Sequence, residues 1–281
     1  MMAIICCSVS EVDFHAFTSA FNQAYSDYYV PISMTVPSFR ALIERDDLDL
    51  EASVAALDGQ QIVGTGLLGI RDQLGWIGGM GVLPERRRQG IGRQMMHYLL
   101  DQGRKRGLTR IDLEVIEANV GAHALYRDLG FVERQYLLIL DRKPGHVANH
   151  LPTYTIEEQA PEVLLQYYAS FHPSPNCWQR GLRSLQALVS HIDGWAAIKN
   201  GEVLGYALGW ADDLNVRLLD FATHPEHPSA ATALLAHLHR QHPNAYGSSY
   251  NIAEDDPVLT AYKALGYHIS FRQIEMQLNL V

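Results

Sequence analysis

Hydrophobic residues recur along this chain in two rhythms, one suited to strands and one to helices. A short apolar, β-prone run at residues 3–9 predicts a first strand. Over 13–25, Phe14, Phe17, Ala20, Phe21 and Ala24 return at spacings of three and four, which predicts an amphipathic helix. That helix ends in the stretch Tyr25, Ser26, Asp27, Tyr28, Tyr29 before Pro31, and a second helix is expected around 38–45 with Pro37 at its first turn. Two β-prone runs joined by Asp58-Gly59 form a predicted hairpin, and residues 74–82 add a strand carrying Gly75, Gly78, Gly79 and Gly81. Glycines inside a strand point to a bulge or to a ligand lying against the backbone. A strand at 109–116, a helix at 119–128 ending on Gly130, and a strand at 131–140 complete the order β-α-α-β-β-β-α-β-α-β.

Between the fourth strand and its helix lies GGMGVLPERRRQGIGR, residues 78–93. Ile91, Met95, Met96, Leu99 and Leu100 follow at helical spacing, so the loop opens a helix. Glycines allow a tight turn, Arg86, Arg87, Arg88 and Arg93 bring positive charge to Gly90 and Gly92, and a helix N-terminus offers free N–H donors. Together they predict a loop for a ligand's phosphates.

Periodicity fades over 141–152, which reads as a linker, and a weaker second copy follows. A hairpin turn at Asn200-Gly201 stands where Asp58-Gly59 stood. Tyr262, Gly266 and Tyr267 take the places of Tyr126, Gly130 and Phe131. At the loop position the second copy has His224-Pro225-Glu226-His227-Pro228-Ser229, with neither glycine nor arginine, so it is not expected to hold the same cofactor. The predicted domains are 1–143 and 153–281, joined by 144–152.

Composition narrows the picture. A chain of 281 residues with 47% hydrophobic and 19% charged side chains is globular and long enough for two domains. Its net charge of −9 argues against general nucleic-acid binding, and three cysteines give no disulfide framework. No apolar run approaches the ~20 residues of a membrane span and no secretory leader is visible, so a cytoplasmic protein is expected.

In the first half, Val82-x-Pro84-x-x-Arg87-x-x-Gly90-Ile91-Gly92, Leu113-Glu114-Val115 and Asn119-x-x-Ala122-x-x-Leu125-Tyr126-x-x-x-Gly130-Phe131 occur in one order and spacing. In these motifs the chain resembles the GNAT superfamily of acyl-CoA-dependent N-acyltransferases, strongly over 1–140 and weakly beyond. The resemblance implies an α+β fold with a mixed, mostly antiparallel sheet flanked by helices, here duplicated. It implies acetyl-CoA as co-substrate, with no metal. Backbone N–H groups of Arg87, Arg88, Gly90, Ile91, Gly92 and Arg93 would cradle its pyrophosphate. Met80, Gly81 and Val82 would pair with the pantetheine arm, Asn119 would steady that arm, and Tyr126 would sit by the sulfur. Arg88 departs from the family pattern, where a glycine is common.

Acylating an amine requires loss of an ammonium proton, stabilisation of an oxyanion and protonation of the departing thiolate. Strand N–H groups near Met80 to Val82 suit the oxyanion, and the Tyr126 phenol suits the thiolate. For the base, the 74–82 strand carries no carboxylate, whereas Glu114 matches the base position of the N-terminal acetyltransferases that modify ribosomal proteins. Its competing reading is a surface or ion-paired strand carboxylate, with a water relay or Asp27 as other bases. Tyr25, Asp27 and Tyr28 are candidates to line an acceptor pocket, against simple rim packing between helices. The acceptor would be a small amine or a peptide N-terminus, and a homodimer is left open.

Three other readings carry less. Gly90-x-Gly92 imitates part of a dinucleotide motif, but Met95 replaces its third glycine and a hairpin precedes it. His237, His239 and His242 invite a metal, yet their spacing and lack of an acid or thiol favour surface histidines on a helix. A non-catalytic acyl-CoA sensor or scaffold is the alternative to an enzyme.

Overall fold

The computed structural model describes residues 3–147, 153–172 and 174–280. The first half has the expected order: β1 (Ile5–Ser8), α1 (Phe14–Ala24), α2 (Val36–Arg45), β2 (Val54–Asp58), β3 (Gln61–Arg71), β4 (Leu74–Val82), α3 (Ile91–Lys105), β5 (Arg110–Ile116), α4 (Val120–Asp128) and β6 (Val132–Arg142). The second half contributes β7 (Thr155–Glu158), three short helices α5 (Pro161–Leu164), α6 (Tyr168–Phe171) and α7 (Leu182–Gln186), then β8 (Asp193–Lys199), β9 (Glu202–Ala211), β10 (Asn215–Thr223), α8 (Ser229–Gln241), β11 (Tyr246–Ala253), α9 (Leu259–Ala264) and β12 (His268–Asn279).

The chain forms two compact units whose limits differ from those expected. One comprises Met1–Arg134 with Ile274–Val281, the other Gln135–Gln273. The chain leaves the first unit within β6 and re-enters it within β12, because the end of β12 lies beside β5 while β6 pairs with β11, Gly247 opposite Arg142. A boundary placed where periodicity fades misses this exchange, since both strands read as ordinary continuous strands. Most of the expected linker, residues 148–152, lies outside the described residues.

In the first unit β1 to β4 are antiparallel neighbours and β5 joins β4 in parallel. One face of the sheet receives α3. A Cβ at Gly64 would lie 2.5 Å from Met95 Sδ, and one at Gly66 would lie 2.9 Å from Val54 and 3.2 Å from Leu99, so these glycines let the helix settle onto the strand. The opposite face receives α1 and α2, with Phe17, Phe21 and Phe39 buried and their rings 4.9–5.9 Å apart. Asp13 caps α1, Thr35 and Ser38 form a reciprocal box at α2, and Asn119 caps α4.

The N-terminus of α3 differs. Gly90 precedes it at φ +81° and no side chain caps its first N–H groups. Two residues earlier Arg88 stands at φ +60°, a left-handed conformation in which a side chain is strained. This is the position where the sequence pattern leads one to expect glycine. Arg88→Gly should therefore raise stability by up to ~1 kcal/mol, read as a higher unfolding midpoint in thermal denaturation; a clear fall would contradict the strained geometry.

Candidate active site

The site grows from a failure of pairing. Parallel partners run from Leu74 opposite Arg110 to Ile77 opposite Leu113 and then stop, so the end of β4 parts from β5. Across β4 the antiparallel ladder with β3 shifts register between Thr65 and Leu67, and Gly79 stands at φ +67° in the resulting bulge. Leu83 N–H donates to Val63 C=O at 3.0 Å. Counting back, the N–H and C=O of Val82 face away from β3, into the gap.

That gap opens into a cavity of about 750 Å³. Its walls are Met80, Gly81 and Val82 from β4, the 86–93 loop, Asn119 and Tyr126 from α4, and Tyr25, Asp27 and Tyr28 after α1. Of the residues named above as candidates to bind acetyl-CoA, to catalyse or to line an acceptor pocket, Glu114 alone is not among its lining residues.

The loop arginines act differently from a simple ring of charge. Arg86 pairs with Asp58 at 2.7 Å and Arg93 with Asp128 at 2.8 Å. Arg87 grips both oxygens of Asp27 at 2.7 and 2.8 Å, and also donates to the carbonyls of Val82 and Ala24, each at 3.0 Å. Its side chain thus ties the end of α1 to the end of β4. Arg88 forms no ion pair among the described residues and is exposed. The sequence counted positive charges but could not count their neutralising partners, which come from distant segments. Asp27 is equally committed: the Arg87 hydrogen bond holds its carboxyl below the ordinary range, which makes it a poor base.

The α3 N-terminus remains the natural place for a polyphosphate. Its uncapped N–H groups face a cavity wall, and a Cβ at Gly92 would be no closer than 3.5 Å to Leu125 and Met80. The backbone itself is the surface there. Tyr25, fully within the core, donates to Met80 C=O at 3.2 Å and so fixes the bulge, while Tyr29 donates to Ala118 C=O at 3.0 Å. Tyr25, Asp27 and Tyr28 therefore do both things considered for them: they pack at the rim and they line the cavity.

Tyr126 is buried against Phe131, and its hydroxyl makes no hydrogen bond among the described residues. Burial, with Tyr28 nearby, pushes its pKa above the ordinary phenol value, so the hydroxyl stays protonated. Glu114 lies on the sheet face that carries α1 and α2, as strand alternation predicts. Burial, with Glu275, Asp112 and Asp46 nearby, raises its carboxyl to about 8, against the lowering effect of a hydrogen bond from Trp76. The indole Nε1 of Trp76 donates to Glu114 Oε2 at 2.7 Å. Trp76 was missed in the sequence; a large ring two residues before Gly78 was the available signal.

The second unit repeats the divergence but bridges it with its own side chains. Strands β10 and β11 pair in parallel from Asn215 opposite Tyr246 to Leu218 opposite Ser249 and no further. Beyond that point Arg180 donates to Asp220 of β10 at 3.0 Å, and Asn251 of β11 donates to Gln179 at 2.7 Å, so the turn at Trp178–Arg180 bridges the two strands. Asp220 also accepts from Tyr206 at 2.7 Å and contacts His172 at 3.1 Å. Burial opposes its ionised form but is outweighed by His172, Arg180 and Tyr206, which hold it well below the usual range. The histidines of α8 are not simply on the surface: His239 is buried, bonded to Tyr267 at 2.8 Å, and burial with Arg142 beside it pushes it down to about 3. Its partners, Arg142 on β6 and Tyr267 just before β12, are too far along the sequence for helical periodicity to reveal them. Among the described residues no group of three or more His, Cys, Asp or Glu is placed to hold a metal, and no helix is long and apolar enough to cross a membrane.

Residues 14–131 match the model of the acetyltransferase (GNAT) family. A [ribosomal protein bS18]-alanine N-acetyltransferase of Escherichia coli K12 is 37% identical over 73 residues, 25% of this chain and 49% of that protein. The chain thus spans about half the length of the curated relatives it matches. A crystal structure of a putative acetyltransferase from Pyrococcus horikoshii aligns over 99% of this chain and 90% of its own, with TM-score 0.70 and 18% identity. A tandem GNAT protein from the clavulanic acid biosynthesis pathway aligns over 99% and 98%, with TM-score 0.68 and 15% identity. Over residues 14–131 the chain is thus similar to the acetyltransferase (GNAT) family, and as a whole it has the duplicated fold of a tandem GNAT protein.

Proposed function

We propose that the first unit is an N-acetyltransferase that moves an acetyl group from acetyl-CoA to a primary amine by direct attack. The observation that carries this is one cavity bounded by an uncapped helix N-terminus, the free edge of β4, Asn119 and Tyr126. In this reading backbone N–H groups of the 87–93 loop hold the pyrophosphate of acetyl-CoA. The outward edge of β4 pairs with the pantetheine amides as an added strand would, and Asn119 steadies the same arm. When bound, acetyl-CoA supplies an activated acyl group.

The chain's own residues then handle charge and protons. The N–H groups of β4 at the bulge stabilise negative charge on the acyl oxygen. Glu114, which does not line the cavity, takes the proton of the incoming ammonium through a water relay rather than by direct contact. A carboxyl near 8 is a better match to an ammonium near ~10 than an ordinary carboxylate would be. Tyr126 donates to the departing sulfur. Burial raises its pKa, but the same burial also destabilises a thiolate beside it, so proton transfer between them remains matched. A sensor that only bound acyl-CoA would use the same cradle but would have no use for the proton donor that we propose Tyr126 to be.

The acceptor we propose to test first is a peptide with an N-terminal alanine, because the matched relatives are named for such a substrate. Tyr126→Phe should lower its acetylation ~10²-fold or more while acetyl-CoA affinity stays unchanged, as measured by CoA release and by calorimetric binding. Equal turnover would remove the acid role. Gly92→Glu puts a carboxylate against the proposed phosphates and should weaken acetyl-CoA binding at least ~10-fold; unchanged affinity would overturn the cradle.

A further inference from the structure

We infer that Trp76 is a positioning residue for Glu114: its indole N–H holds one carboxylate oxygen while its ring, lying over Gly78, fixes where that carboxylate sits. The inference rests on the reading of Glu114 as the base. Two independent features of the geometry carry it. One is the Trp76 Nε1 to Glu114 Oε2 hydrogen bond of 2.7 Å, made between adjacent strands. Trp76 stands opposite Asp112 in the parallel register, so Glu114 is two residues further along β5 on the same face. The indole must therefore lean along the strand to reach it.

The second feature is what that lean requires. A Cβ on Gly78 would fall 2.3 Å from two atoms of the indole ring, far inside contact distance. Gly78 is thus the floor on which the ring lies, and a rigid ring cannot yield as a flexible side chain would. Trp76 itself is buried, so its N–H has left water and must be partnered, which favours the carboxylate geometry seen.

The groups facing Glu114 explain why this contact matters. Asp112 on β5, Glu275 on β12 and Asp46 after α2 are all acidic and oppose a second negative charge. Asp112 is itself partly neutralised by Arg110 at 2.9 Å, and Asp46 is engaged by Arg45. The Trp76 N–H is the neighbour that favours the ionised carboxylate, and a hydrogen bond to the charged form stabilises it. It occupies Oε2, while Oε1 is buried and has no hydrogen-bond partner among the described residues.

The test reads Glu114 ionisation directly, by carboxyl-carbon NMR of glutamate-labelled full-length protein, with the signal assigned by its loss in Glu114→Gln. In the wild-type protein the signal should titrate near pH 8. Trp76→Phe keeps a ring but removes the N–H, and Gly78→Ala displaces the ring without removing it; each should raise the midpoint by about one pH unit. The base must be ionised to act, so the rate should climb with pH through that midpoint. With the N-terminal-alanine peptide and acetyl-CoA, both variants should be about tenfold slower at pH 7 and approach the wild-type rate at high pH. Unchanged midpoints in both variants would overturn the positioning role. The Glu114→Gln arm separates the two readings. If it abolishes the ascending limb while Trp76→Phe and Gly78→Ala leave limb and midpoint in place, Glu114 is the base and Trp76 does not position it. If it leaves limb and rate intact, Glu114 is not the base and both readings fall.

Discussion

The unpaired edge of β4 is the constraint on which the rest of the first unit depends. Once β4 parts from β5 beyond Ile77 and Leu113, backbone N–H and C=O groups stand without strand partners, and each buried one costs free energy unless something satisfies it. The surrounding chemistry is arranged around that cost. Tyr25 supplies a hydroxyl to Met80 C=O and Arg87 supplies a guanidinium to Val82 C=O. The carbonyls are thereby satisfied from the protein, and the outward N–H of Val82 is left as a donor toward the cavity. The gap widens where β4 bulges at Gly79, whose left-handed φ a side chain would resist.

The second unit solves the same constraint by another route. Its strands diverge after a parallel ladder of the same length, yet Arg180 and Gln179 reach Asp220 and Asn251 from a turn that the first unit lacks. Asp220 lies on the strand equivalent to β4, but three donors surround it and it is fully buried. A carboxylate so engaged holds structure together and has no free oxygen for chemistry. The second unit thus has no glycine loop at that position, and its strand divergence is bridged by its own side chains.

Much of this was legible in the sequence because local rules govern it. Helical spacing located α1, α3 and α4, the Asp58-Gly59 signal located the β2–β3 hairpin, and the order of elements followed. Met80 to Val82, Asn119 and Tyr126 are implied by the family resemblance, and Tyr25, Asp27 and Tyr28 by the cluster of tyrosines and an acid after α1. What stayed hidden depends on distant partners. Arginine counting could not show that Asp58, Asp27 and Asp128 neutralise Arg86, Arg87 and Arg93. Strand alternation put Glu114 on its face but not beneath Trp76, since diagonal contacts across a parallel pair depend on register. The crossing of the chain between units within β6 and β12 was invisible for the same reason: pairing partners of a strand are not written in its own residues.

One unit keeps its divergent strands open, where acetyl-CoA is proposed to bind, while the other bridges them from its own chain. Isothermal titration of the full-length protein with acetyl-CoA measures this most directly, through the number of sites. One molecule of acetyl-CoA should bind per chain. Two molecules per chain would show that the second unit also offers an open site, and no binding would show that the first does not, so either result would contradict it.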